Sequence, residues 1–150
     1  MTREERCQLA IERGFTYDSE TGKIFNRYGK TSNPNKSSGY NEMCITVNKK
    51  PFKIQGHQFA WYYEHGYCAN ELDHINGIKT DNRICNLRPV THQQNNWNRI
   101  NAKGYHKVKG SNKYRAEIRL NTKKIYLGIH NTEQDARNAY LKAKEIYHKI

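Results

Sequence analysis

Between Leu72 and Asn98 the chain reads LDHINGIKTDNRICNLRPVTHQQNNWN, and in it an acid, an imidazole and several amides recur at short intervals. Asp73 and His74 are adjacent. At the end of a strand their side chains point to opposite faces, so one can hold a metal ion while the other faces a different target. Asn95 falls about one turn into a following helix, from where its amide oxygen can meet the same ion. Carboxylate and amide oxygens are hard donors of the kind Mg2+ takes. An imidazole titrates in the range needed to accept a proton from water near neutral pH. Phosphodiester cleavage asks for these parts: a base that makes hydroxide in line with the leaving oxygen, and a cation that neutralises the charge building on the phosphate. The plain alternative is that Asp73 and His74 hydrogen-bond within a loop and Asn86 caps a turn.

Two β-prone runs and a helix must carry these residues. Residues 71–75 and 87–90 are short strand candidates around a polar, turn-rich stretch, and Thr91 opens a helix with Gln94 completing a capping box. Upstream, residues 2–13 read as a helix capped by Thr2 with Glu5 in the capping-box position. Residues 23–28, 43–47 and 51–55 are strand candidates, the last two joined as a hairpin through Asn48, Lys49 and Lys50, while residues 31–39 form a loop by composition. Residues 57–65 predict a helix with Phe59, Ala60, Tyr62 and Tyr63 packing inward, ended by Gly66. Trp61, Tyr62 and Trp97 read as core rather than as base-stacking groups. Beyond residue 100 the character changes to three strand candidates, 104–108, 113–120 and 124–129. A last helix follows, capped by Thr132 with Asp135 three residues on and carrying an apolar stripe of Ala136, Ala139, Tyr140, Ala143 and Tyr147.

Charge narrows the partner. The net charge is +12, from 26 basic and 14 acidic residues; residues 101–150 hold 12 and 4 of these, a local +8, against 14 and 10 in residues 1–100. Such a field draws in polyphosphate. No apolar run is long enough to cross a bilayer, and the first residues lack the apolar stretch of a signal peptide, so a cytoplasmic protein is expected, in a bacterial or phage-infected host cell. The four cysteines form no Cys-x-x-Cys pair and read as free thiols, so no structural zinc is expected.

The stretch around residues 73–96 resembles the HNH endonucleases, also called the ββα-metal fold, and in particular the phage and intron-homing type. The resemblance lies in Asp73-His74, Ile75-Asn76-Gly77, Asp81-Asn82-Arg83, Asn86-Leu87-Arg88, Val90-Thr91 and Asn95-Asn96. Asn86 stands twelve residues after His74, and Asn95 twenty-one. It implies that His74 is the general base, Asp73 a metal ligand, and Asn86 the middle letter of the motif, bracing the loop and so orienting His74. Asn95 takes the place where many members have a histidine ligand, which favours oxygen ligation and Mg2+ or Mn2+. His92, three residues before Asn95, is either a first-turn residue near phosphate or a ligand. His57, at the start of a helix, could contact phosphate or cap the helix, and a purely structural role is the equal alternative. Arg83, Arg88 and Arg99 are expected along the DNA.

In residues 113–120 alternation puts Tyr114, Ala116, Ile118 and Leu120 on one face and Arg115, Glu117 and Arg119 on the other. The apolar face can cover the last helix, leaving an arginine-studded sheet flanked by Lys107, Lys109, Lys113, Lys123 and Lys124. Residues 104–147 are similar to the APETALA2-type DNA-binding domain through Tyr114-Arg115-Ala116-Glu117-Ile118, Leu127-Gly128, Thr132-Glu133 and Ala139-Tyr140. That resemblance implies that the sheet contacts DNA, with Arg115 and Arg119 leading and Lys107 and Tyr126 supporting. The tryptophans of plant members are missing from the sheet, so no target sequence carries over.

The expectation is therefore an α+β protein: N-terminal strands plus an HNH unit over residues 1–100, its core about residues 56–99, then a three-stranded antiparallel sheet packed on one helix over residues 101–150. The expected activity is DNA cleavage by a monomer on double-stranded DNA, without a membrane or an obligatory protein partner. Competing readings are a non-catalytic DNA-binding regulator that keeps the nuclease fold, and an RNA binder.

Overall fold

The computed structural model describes residues 1–98 and 102–149. Arg99, expected along the DNA, lies outside the described residues. Among those described, four α-helices and four small antiparallel sheets divide between two compact units, Met1–Thr91 and His92–Ile150. None of the helices is long and apolar enough to cross a membrane.

The first unit opens with α1 (Arg3–Glu12), whose Thr2 hydroxyl accepts from the Glu5 amide while the Glu5 carboxylate accepts from the Thr2 amide. That reciprocal capping is the one the sequence predicts. Two strands, β1 (Thr16–Asp18) and β2 (Lys23–Phe25), pair next; the sequence does not announce β1, because three residues bear no alternation long enough to register. β3 (Glu42–Val47) and β4 (Lys50–Gln55) form a hairpin whose two turn residues, Asn48 and Lys49, both sit at positive φ, the geometry that matches strand twist; Lys50, expected in the turn, instead pairs with Val47 as the first residue of β4. Helix α2 (Gly56–His65) ends on Gly66 in the left-handed region. β5 (Leu72–His74) pairs with β6 (Leu87–Pro89), a 3-10 turn at Ile84–Asn86 leading into the latter. One core joins α1, α2 and these strands through Cys7, Ala10, Ile24, Ile45, Ile54, Phe59, Ala60, Trp61, Leu72 and Leu87. Tyr63, expected to pack inward, is instead exposed: it lies edge-on to Tyr17 at 5.9 Å, at the rim of the core rather than inside it. All four cysteines are free thiols.

The second unit runs from α3 (His92–Trp97) through β7 (Tyr105–Lys107), β8 (Tyr114–Leu120) and β9 (Lys123–His130) to α4 (Glu133–Tyr147). The strands form one sheet in the order β7-β8-β9, with an irregularity between Arg115 and Glu117. Thr132 caps α4 by accepting from the Asp135 amide. The helix buries Ala136, Tyr140 and Ala143, and Ile118 of β8 packs with Tyr140 and Ala143. Tyr147, expected on the same stripe, is exposed because it is the helix's last residue and no further turn covers it.

Gly104 illustrates how tightly this small core closes. Its φ is +73°, and a Cβ there would overlap the Tyr140 ring. Gly104→Ala should therefore destabilise the second unit by about 2–4 kcal/mol, from the left-handed backbone and the overpacking together. Urea denaturation of the full chain measures it, and an unchanged transition would refute the close packing.

Candidate active site

The β5–β6 ribbon is only three residue pairs long, and it sets Asp73 directly opposite Arg88 and His74 opposite Leu87. Facing pairs of opposite charge stabilise such ribbons. Here Arg88 donates from Nε (3.1 Å) and Nη2 (2.8 Å) to one oxygen, Oδ2, of Asp73. Asp73 and His74 are both buried, at 8% and 5% exposure. The His74 ring meets the side chain of Asn82, its Nε2 lying 3.0 Å from Oδ1.

The loop between the strands is held by amides. Asn86 accepts from the Asn76 backbone N–H at 3.0 Å and donates from Nδ2 to Asn76 Oδ1 (3.0 Å) and to the Asp81 carbonyl (2.8 Å). Asn76 in turn donates to Asp81 Oδ2 at 2.7 Å. Arg83 clasps Asp81 through Nε (2.8 Å) and Nη2 (2.6 Å). This clasp, helped by Asn76, holds the Asp81 carboxyl down at about 2. Asn86 thus ties the two ends of the loop together, while the direct partner of the His74 ring is Asn82. The sequence motif includes Asn82 without giving it a role, because an asparagine in a polar loop says nothing of which side chain its amide meets.

Two further rings close around His74. Tyr40 and His57 lie 5.9 Å and 5.3 Å from it, centroid to centroid, and 5.2 Å from each other. His57 is the second residue of α2, 6% exposed, with Nδ1 buried and without a hydrogen-bond partner among the described residues. Of the roles expected of it, the structural one fits this placement, and meeting phosphate or capping the helix does not. Gly56 packs against Asn41 and Asn82 at the start of the helix, and the following side chain sits inside. Burial above all, with the nearby His74 ring, pushes His57 down to about 3.

Asn95 and His92 lie on α3, in the second unit, with His92 exposed as its first residue. On the sheet, Arg115 lies over the Tyr126 ring at 4.9 Å. Glu117, between the arginines, takes Lys124 at 3.0 Å and Arg115 at 3.7 Å, and the Lys124 pairing leads in holding its carboxyl below the usual range. Lys107, Lys113, Arg119, Lys123, Lys124 and Tyr126 are all exposed. The outer face is thus basic but carries one acid, a pairing that the strand pattern alone does not specify.

Among the described residues no three His, Cys, Asp or Glu side chains gather into a group able to hold a metal ion. The oxygen donors singled out by the sequence are the Asp73 carboxylate and the Asn95 amide. An acid and an amide suit a hard cation that keeps several of its own waters.

Residues 55–97 match the family of HNH endonucleases. The matched segment contains Asp73, His74, Asn82, Asn86 and Asn95. A solved structure on DNA binding and cleavage by the HNH homing endonuclease I-HmuI is similar at 27% identity and a TM-score of 0.47. The similarity covers 57% of this chain and 51% of that one, so the chain spans about half its length. No curated protein matches the chain.

The buried His57 has a consequence for stability. Its folded pKa lies below the ordinary value of about 6.5, so the unfolded chain binds the proton more readily. The contribution is complete above about pH 6.5 and is lost as pH falls towards about 3, at up to about 1.4 kcal/mol per pH unit. The urea midpoint should drop across that window, and His57→Phe should make the drop shallower. Equal slopes for the two proteins would show that His57 is not buried neutral.

Proposed function

We propose that this chain is a DNA endonuclease that hydrolyses phosphodiester bonds, with His74 as general base and Asp73 and Asn95 as the residues that would hold one divalent cation, Mg2+ or Mn2+. The observation that carries the reading is a hydrogen-bonded imidazole beside a carboxylate, on a paired strand within the segment that matches the HNH endonucleases. When bound, such a cation supplies charge neutralisation at the phosphate and at the departing 3′ oxygen. The chain's own residues do the rest. His74 takes the proton from water through the ring nitrogen that Asn82 does not engage. Asn86 keeps the loop closed beneath it.

Duplex DNA is the proposed substrate and partner. The net charge of +12 and its concentration in the last third of the chain support this. The sheet of β7, β8 and β9, read as an APETALA2-like surface, would bind it through Arg115 and Arg119, flanked by Lys107, Lys113, Lys123, Lys124 and Tyr126. Arginine forks suit guanine edges and phosphates alike. Arg83, Arg88 and Arg99 would contribute from the nuclease side. A single site per chain would nick one strand, leaving 5′-phosphate and 3′-hydroxyl ends; the origin would be phage or mobile-element, and the setting the cytoplasm. One observation favours the competing reading of a DNA binder without activity: Arg88 already neutralises the Asp73 carboxylate.

Incubation with supercoiled plasmid separates the two. Nicked circles should form with Mg2+ and not with excess chelator, and intact supercoils under both conditions would leave the binding reading. His74→Ala should slow nicking by at least about 100-fold with duplex affinity unchanged. Replacing Arg115 and Arg119 by alanine should do the reverse, weakening binding and lowering its salt dependence by about one unit of slope for each phosphate no longer neutralised. Binding that survives this double replacement would rule out the sheet face.

A further inference from the structure

Asn82 is 1% exposed, and its Oδ1 is 3.0 Å from Nε2 of His74. An amide oxygen only accepts, so this hydrogen bond places the ring proton on Nε2 and leaves Nδ1 with the lone pair. The other side-chain atom, Nδ2, is buried and has no hydrogen-bond partner among the described residues. The oxygen is therefore the half of this amide that is engaged.

The surroundings of Asn82 hold it still. The Tyr17 hydroxyl, from β1, donates to the Asn82 carbonyl at 2.6 Å. Gly22, in the β1–β2 turn, sits so close that a Cβ there would come within 2.8 Å of the Asn82 carbonyl carbon and 2.5 Å of the Arg83 nitrogen. At the start of α2, a Cβ on Gly56 would reach 3.0 Å from Asn82 Nδ2. The hairpin grips one side and the helix the other, while the rings of Tyr40 and His57 flank His74 itself.

We infer that Asn82 is the positioning residue that selects the tautomer and ring orientation of His74, and that the β1–β2 hairpin is its buttress. This rests on the proposed role of His74 as the base. It adds a function to the N-terminal strands that neither composition nor spacing marks.

The test begins with the ligand-free full chain carrying 15N-histidine, at about pH 8. Long-range proton–nitrogen spectra should show His74 protonated on Nε2; a proton on Nδ1 overturns the proposal. Asn82→Ala should give mixed tautomers and lower the maximal nicking rate about 10- to 100-fold, with duplex affinity unchanged. Asn82→Asp keeps an oxygen in place and has no Nδ2 hydrogen bond to lose, so it should restore the tautomer and most of the rate. An alanine variant that retains the wild-type tautomer and rate also overturns it. Gly22→Ala should mix the tautomers as well, and an unchanged spectrum removes the buttress. Should Asn82→Ala fail to fold, the wild-type spectrum and the aspartate variant decide. If the wild-type chain never nicks DNA, the nuclease reading falls, while the spectra still report on the Asn82–His74 hydrogen bond.

Discussion

A ribbon of three residue pairs is too short to hold itself together in water, yet β5 and β6 carry a carboxylate and an imidazole at under a tenth of their full exposure. Burying such groups is costly unless each finds a partner. The first unit meets that constraint with two pairings, Arg88 on Asp73 and Asn82 on His74. Much of the rest of the unit follows from keeping those pairings in place. The amides of Asn76 and Asn86 close the loop that joins the strands, and Asp81 with Arg83 fastens its far side. Hydrophobic packing alone would not define these geometries, because it is indifferent to direction. Hydrogen bonds in a region of low dielectric are not.

The same logic separates the two arginines of the loop region from those of the sheet. Arg83 and Arg88 are engaged with carboxylates, so any bond they make to a phosphate competes with an existing pair. Arg115 and Arg119 extend from a strand whose other face is buried, and their long stems need no acid to hold them out. Glu117 nevertheless lies between them. It draws Lys124 and Arg115 across the strands, turning a row of like charges into a pattern of both signs. A sheet built this way presents its positive charge with less self-repulsion than a face of lysines and arginines only.

Capping and alternation made several elements legible in the sequence. The Thr2–Glu5 box, the Gly66 stop and the Thr132 cap each rest on two to four neighbouring residues, and each is present; the hairpin after Val47 is present too, with a turn one residue shorter than the sequence suggests. The alternation of residues 114–120 is likewise present, with Ala116 and Ile118 buried and Arg115 and Arg119 exposed. Less was legible where partners come from afar. Strand β1 is three residues long, and the hydroxyl of its Tyr17 finds its acceptor sixty-five positions away. His57 at a helix start leaves phosphate contact, capping and a structural role open from sequence; the fold turns it inward against two other rings.

What the sequence determined by itself was chemistry and local geometry. It set an acid, an imidazole and amides at intervals matching the HNH endonucleases, and it placed excess positive charge in the last third of the chain. Residue type and near-neighbour spacing are sufficient for that, since turns, caps and strand faces involve only a few consecutive positions. The tertiary structure decided which groups meet: that Arg88 faces Asp73, that Asn82 rather than Asn86 touches the His74 ring, and that His57 lies inside. Such pairings depend on strand register and on the close approach of glycines 22 and 56 to a distant loop, distances that arise only once the chain has packed.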